Sequence, residues 1–443
     1  MDFISALLNS IVGILFSAWT VAKEIWWLFL PFIFFPSLRR TWLTYVQDRY
    51  VRSIDWVLLE IKVPKDILKT PKAMEQIFAA MYASYSHGLS FLYLYIDGFV
   101  DYWYSFEMAA DASGIHFYIM TPAKQRNMVE AAIYAQYPEA EILEVSDYVN
   151  ELPRKMPNQM YDLWGTDLGF GKPSAYPIRT YPYFEANVEE QRLDPISGLA
   201  EIMSGLKEGE HLWWQVIVAP SDGSPYIDNK WVEEGEAVIA KITGEDVKKK
   251  SGGFLADVAE WARNVIWAPM ELPIWGEAKP EEKKQRQILN PAEQEIVKAI
   301  SAKIAKLGFE TKVRFIYIGK RDGFTNANAV AVMGAERQFN TQDLNQLKPC
   351  KEITLLSGWK PRFVPFYKRL MLFSQKKKLF DNYRTRRLGS RRIGKWRPGG
   401  KIFTFNTEEL ATIFHFPLGV VKAPKLRRLD FKSGGPPAEL PVE

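Results

Sequence analysis

The chain has 443 residues, 47% hydrophobic and 25% charged, which gives room for two or three domains with real cores and excludes disorder as its main state. Its single cysteine, Cys350, rules out an intramolecular disulfide, and the four scattered histidines (His87, His116, His211 and His415) show no metal-ligand spacing. The net charge of +5 hides a local excess, because 15 Lys and Arg stand against Asp381 alone between Lys360 and Lys401.

Residues Phe3 to Ala22 carry no charge. At ~1.5 Å per residue such a run crosses a hydrocarbon core of ~30 Å. A second apolar run, Ile25 to Phe35, places Trp26 and Trp27 as interfacial aromatics, with Pro31 set to kink or end the helix. Arg39, Arg40, Arg49 and Arg52 follow, whereas Asp2 is the only charge before the run. The positive-inside rule then predicts one transmembrane helix within residues 1–36 and a basic juxtamembrane linker over 37–53. The N-terminus is expected outside a bacterial cytoplasmic membrane and the bulk of the chain in the cytoplasm. A secretory signal fits less well, since the amino end is acidic and the apolar stretch exceeds a usual signal core.

From Ile54 the pattern predicts strand 54–63, helix 71–85, strands 101–110 and 114–120, helix 122–136 and strand 139–147. Thr70-Pro71 and Thr121-Pro122 both read as a cap followed by Pro at the first helical position. Met74, Ile77, Phe78 and Met81 line one helix face. The order βαββαβ is the ferredoxin-like plan, assigned to residues 54–150. A second such module is assigned to 170–350 on the helices opened by Asp194-Pro195 and Asn290-Pro291, the strand after His211 and the strand 311–318. Residues 237–242 serve as its third strand, and 244–288 as an insertion. Within that insertion Phe254, Val258, Trp261 and Val265 recur at helical spacing, with Trp267 beyond. An aromatic helix of this kind either packs on its own domain or lies at a membrane interface, where Trp261 and Trp267 join Trp26, Trp27, Arg39 and Arg40 as candidates. The predicted class is therefore α+β, an N-terminal transmembrane helix followed by two ferredoxin-like modules and a basic C-terminal extension.

Residues 351–402 form the basic segment, and 403–443 a short strand and helix with a Pro-rich tail. Lys376, Lys377, Lys378, Arg384, Arg386, Arg387, Arg391, Arg392, Lys395 and Arg397, interleaved with aromatics, are candidate contacts to nucleic acid, anionic lipid or an acidic partner, or else a solvated face. Gly389 to Lys395 matches a phosphate-loop pattern in letters only: Trp396 stands where magnesium needs a hydroxyl, and no apolar strand leads in. Glu60, Glu75 and Glu107 have no base placed beside them by sequence, so no catalytic set, cofactor site or metal site is assigned.

The segment NTEELATIFHFP, the Val-Lys-x-Pro turn and PPAELP resemble the text just before the motor domain of bacterial FtsK/HerA-class conjugation and type IV secretion ATPases. LLEIKVPKDILKTPKAMEQIFAA, DPISGLAEIMSGLKEGEHLWWQVIV and Gln338-Phe339-Asn340 are similar to further stretches of those proteins. The resemblance implies a membrane-anchored pre-motor region that works as a separate, noncatalytic polypeptide and docks a motor ATPase encoded elsewhere. Homo-oligomerisation is implied only by analogy with hexameric motors. The alternative function is a membrane-tethered nucleic-acid binder that uses residues 360–401.

Overall fold

A computed structural model describes residues 13, 19, 20, 23, 34, 35, 37–39, 41–64, 69–85, 92–185, 193–221, 231–244, 289–350, 365–388 and 402–417. The chain divides into two units, the first drawn from residues 1–55, 86–101 and 389–397 and the second from 56–85, 102–388 and 398–443. In the first unit, α1 (residues 41–52) is held to a π-helical turn, Tyr93–Asp97, by the Trp42 indole N-H, which donates to the Tyr95 carbonyl at 2.7 Å. Gly98 ends that turn at φ 69°, and a Cβ there would meet the Val46 carbonyl carbon at 2.3 Å, so only glycine fits.

The second unit contains, among the described residues, nine strands: β1 (Trp56–Lys62), β2 (Tyr104–Asp111), β3 (Gly114–Pro122), β4 (Glu141–Glu144), β5 (Tyr161–Phe170), β6 (Glu210–Ser221), β7 (Gly308–Lys320), β8 (Leu347–Pro349) and β9 (Phe403–Asn406). They make one antiparallel sheet in the order β4-β1-β3-β2-β6-β7-β5-β8. β9 pairs the start of β7, from Gly308 to Thr311, beyond the reach of β5. The central strands β6 and β7 are buried along nearly their whole length, which requires cover on both faces, so that Gln215, Lys312 and Arg314 are buried along with the apolar residues of these strands.

One face carries α2 (Lys72–Met81), α3 (Arg126–Gln136), α4 (Ser197–Ser204), α7 (Ala327–Ala335) and α9 (Thr407–Ile413), whose apolar residues share one core with β1, β2, β3, β6 and β7. Met74, Ile77, Phe78 and Met81 of α2 are wholly inside it. α5 (Trp231–Thr243) and α6 (Pro291–Ile304) form a pair in the excursion between β6 and β7, with a Gly235 Cβ position only 2.6 Å from Ile304 Cγ2. The opposite face is covered by α8 (Pro365–Thr385) and the 3-10 turn Tyr148–Glu151, which bury Leu379, Phe380, Tyr383 and Val149 against Leu58, Tyr118, Leu163 and Trp213.

Several expectations are corrected here. Among the described residues no helix is long and apolar enough to cross a membrane. The 21-residue α8 carries Lys376, Lys377, Lys378 and Arg384, and α1 carries Asp48, Arg49 and Arg52, so neither offers an uncharged run. The segment Phe3 to Ala22, on which the transmembrane helix rested, lies almost wholly outside the described residues.

The two modules are not separate sheets: β2 pairs β6 from Tyr104–Val218 to Ala110–Leu212, and the strands run on as one sheet. The second set begins with β5, a strand absent from the sequence reading, and closes with the three-residue β8. Residues 237–242 belong to α5, because Gly235 lets this amphipathic segment pack on α6. The helix after Asn290 belongs to the excursion, so the helix between β7 and β8 is α7.

Helix starts also differ. Neither Thr70 nor Thr121 caps a helix; Thr121 instead extends β3, which runs to Pro122. Asn290 and Asn406 do close full capping boxes with Glu293 and Glu409.

Candidate functional site

Alternation along β2 sends Phe106, Met108 and Ala110 into the helix-covered core, and Ser105, Glu107 and Ala109 to the α8 face. Glu107 is fully buried there and stands directly opposite Gln215 of β6. Its Oε1 accepts from Ser105 Oγ at 2.5 Å, Gln215 Nε2 at 2.8 Å and Arg386 Nε at 2.7 Å. Its Oε2 accepts from Tyr148 OH at 2.7 Å and Arg386 Nη2 at 3.0 Å. The Tyr148 proton is thereby committed, so the Tyr383 hydroxyl, 2.6 Å away, donates to Tyr148.

Arg386 also holds Asp147 through two bonds, Nη1 to Oδ2 at 2.7 Å and Nη2 to Oδ1 at 2.8 Å. Burial works against its charge, but Glu107 and Asp147 outweigh that and hold the guanidinium protonated. Burial, reinforced by Glu107, pushes both Tyr148 and Tyr383 well above the ordinary phenol range. The Trp103 indole donates to the Arg386 carbonyl at 2.8 Å, locking the residue after α8 at φ 47°. This network joins β2, β6, α8 and the turn at Asp147, and it matches every oxygen of Glu107 and Asp147 internally, while the buried Gln215 Oε1 has no hydrogen-bond partner.

Beside it a cleft of about 210 Å³ opens between the β2–β3 hairpin, the start of β6 and the Tyr148–Glu151 turn. Ala109 and Ala110 lie along it, and so do rings packed on one another: Tyr118 stacks on Tyr148 at 4.7 Å and on His116 at 5.9 Å, and Trp213 meets Tyr148 edge-on at 5.2 Å. Asp111, Ser113, Glu151, Leu152 and His211 complete the lining. His116 Nδ1 lies 2.6 Å from Glu60 Oε1, and its Nε2 lies 3.4 Å from Ser113 Oγ, a Ser-His-Glu sequence of contacts. Yet the Ser113 hydroxyl donates to Asp111 Oδ1 at 2.6 Å, and the Ser113 backbone N-H donates to the same oxygen. Its proton points away from the imidazole, so the nucleophile is not paired with the base. Burial pushes the Asp111 carboxyl up, but the two Ser113 hydrogen bonds, with His116 and His211, outweigh it and hold the carboxyl below its usual value. Burial lowers His211, against the pull of Asp111 and with help from Lys320, which favours the neutral ring.

A third cluster lies on the same face. Asp167 of β5 and Arg314 of β7 are fully buried with Nε to Oδ1 at 3.2 Å, and Lys312 Nζ is 3.9 Å from Asp167 Oδ2. Burial, with Arg314 beside it, brings the Lys312 ammonium down to about 8.

The structure distributes the basic candidates rather than collecting them. Lys376 Nζ is bound to Asp162 Oδ1 at 2.6 Å, and Arg386 is inside the network, so both are withdrawn from an external ligand. Lys377 and Arg387 are exposed, and Lys378 and Arg384 partly so. Arg391, Arg392, Lys395 and Arg397 lie outside the described residues, as do Trp26, Trp27, Arg40, Trp261 and Trp267 among the membrane candidates. Arg39 is exposed and its Nε donates to Tyr95 OH at 2.6 Å. Sequence reasoning missed Asp111, His116, His211, Arg314 and Asp167. Polar residues recurring every second position in strands otherwise apolar, such as Ser105 with Glu107 and Lys312 with Arg314, were the available signal. Among the described residues no group of three or more His, Cys, Asp or Glu is placed to hold a metal ion.

Fold and site together define a doubled α+β sheet protein whose charged and hydroxyl groups are largely engaged with one another. Residues 55–426 match a domain of unknown function, DUF8128, and the chain belongs to that family. No curated protein matches the chain.

Proposed function

We propose that the chain is a noncatalytic scaffold that presents its double module to a partner, and that the partner is a separate motor ATPase of a conjugation or type IV secretion-like machine. The observation that supports the noncatalytic reading is the Ser113–Asp111 hydrogen bond, which turns the Ser113 hydroxyl away from His116. Glu107 is likewise saturated by five donors, leaving no lone pair aimed at a substrate. The motor is inferred from the sequence resemblance alone. The nucleic-acid alternative draws on Lys377, Lys378 and Arg384, and its support is their charge.

The experiment is affinity capture of the tagged full-length chain after in vivo crosslinking, followed by identification of the bound proteins. Enrichment of a Walker-type ATPase, with stimulation or retention of its activity, is expected. A crosslinked set with no ATPase removes the motor reading.

A further inference from the structure

The first unit exposes apolar side chains that its own fold leaves uncovered. Residues 37–39 and 41–52 are helical, and Leu43, Val46 and Gln47 are buried on the inner face, where Val46 backs onto Gly98 and Tyr50 packs its ring on Phe99 at 5.3 Å. Leu38, Trp42 and Tyr45, at i, i+4 and i+7, share another face and are 67%, 49% and 61% exposed. The π-helical turn tied to this helix through Trp42 and Tyr95 exposes Tyr93 and Ile96, both 56%. The Trp42 indole N-H is spent on the Tyr95 carbonyl, so what Trp42 turns outward is hydrocarbon. Single apolar residues are ordinary on a surface, but five on two hydrogen-bonded elements mark an interaction site.

The same helical face ends in charge. Arg49 and Arg52 take its next two positions and are exposed, as is Arg39; Asp48 pairs with Arg52 at 2.6 Å. Aromatic and aliphatic side chains leading into guanidinium groups match a lipid head-group layer, where Trp and Tyr rings sit at the boundary with the acyl chains and Arg reaches the phosphates. The uncharged run Phe3 to Ala22 precedes this helix in the chain, and lipid solvates such a run where water does not. We propose that Leu38, α1 and the Tyr93–Asp97 turn form a docking face for a phospholipid surface, lying within the head-group layer and not crossing the bilayer. Leu38, Trp42, Tyr45, Tyr93 and Ile96 enter the interface, and Arg39, Arg49 and Arg52 meet lipid phosphates. Asp97, exposed after Ile96, opposes anionic lipid and leaves the apolar side chains the larger share of the binding. The proposal is independent of the motor reading, since a chain that docks no ATPase carries the same face.

Hydroxyl-radical footprinting of the full-length protein tests it, with and without vesicles of equal parts phosphatidylcholine and phosphatidylglycerol. Oxidation of Trp42, Tyr45 and Tyr93 is expected to fall by about threefold or more when vesicles are added. Met160 and Tyr183, 65% and 60% exposed in the second unit, should keep theirs. The double variant Leu38→Asp with Tyr45→Asp should return Trp42 and Tyr93 to their vesicle-free oxidation, even where the N-terminal apolar run still holds the protein on the vesicles. Ile96→Asp, on the other element, should do the same and keeps the test alive if the helix variant does not fold. Absence of vesicle-dependent protection, equal protection of Met160 and Tyr183, or protection unchanged in both variants overturns the proposal. So does protection that appears without vesicles as protein concentration rises, which makes a second copy the occupant.

Discussion

Arg386 closes over Glu107 through Nε–Oε1 at 2.7 Å and Nη2–Oε2 at 3.0 Å, joining residues 279 positions apart. Both side chains are buried, so removing one leaves the other as an uncompensated charge. Arg386→Met is expected to cost about 3–5 kcal/mol in urea denaturation. The double variant Glu107→Gln with Arg386→Met should lose clearly less than the sum of the single losses. Additive losses would show that the two groups are not coupled.

Glu409 performs three tasks at once. It completes the capping box with Asn406, accepts from the Ile178 N-H at 2.9 Å, and meets the buried Lys303 ammonium with Oε2 at 2.9 Å. Asn406→Ala removes only the cap and should cost about 1 kcal/mol. Glu409→Gln strands Lys303 and should cost about 3 kcal/mol or more. Similar losses for both in thermal melts would contradict this ranking.

Lys312 makes stability depend on pH in the alkaline range. Its folded value, about 8, lies below the ordinary 10.5, so between those values the unfolded chain binds more protons than the native one. Stability from this group therefore rises with pH across that window and is lowest, and flat, below pH 8. The whole swing is about 3 kcal/mol. Chemical denaturation from pH 7 to 10.5 should show the rise in the native protein and its absence in Lys312→Met, which should also be the more stable of the two at pH 7.

Gly165 is where β5 comes closest to its neighbours. A Cβ there would lie 2.3 Å from the Phe315 carbonyl oxygen and 3.1 Å from Leu379 Cδ2 of α8. The backbone oxygen cannot step aside as a side chain could, so Gly165→Ala should cost about 1–3 kcal/mol. Hydrogen exchange should show lost protection in β5 and α8 before it appears in β1.

Parts of this fold were legible because they follow from local pattern. The α2 stripe of Met74, Ile77, Phe78 and Met81 buries as its period requires, and Asn290 and Asn406 cap as their spacing to Glu293 and Glu409 requires. β5 was not legible: YDLWGTDLGF mixes Asp162, Gly165, Thr166 and Asp167 into a strand whose carboxylates meet their cations on β7 and α8. The segment AVIAKI fits a strand by composition and becomes a helix because Gly235 offers α6 a surface to pack on. Basic text misled for the same reason. Lys376 and Arg386 look like surface charge until Asp162, Asp147 and Glu107, far away in sequence, are brought beneath them. The cleft needed the hairpin and β6 side by side, which no single stretch of sequence announces.

The join between β2 and β6 carries one more consequence. Read outward from it, the strand order β2-β3-β1-β4 is matched by β6-β7-β5-β8, with helices on the same face of both halves. Two like edges meet antiparallel, which is the arrangement of a dyad axis normal to the sheet, passing near Glu107 and Gln215. The join thus has, within one chain, the geometry that two copies take in a symmetric dimer. Because one chain supplies both sides, the residues at the axis need not be alike, and one half contributes the carboxylate and the other the amide.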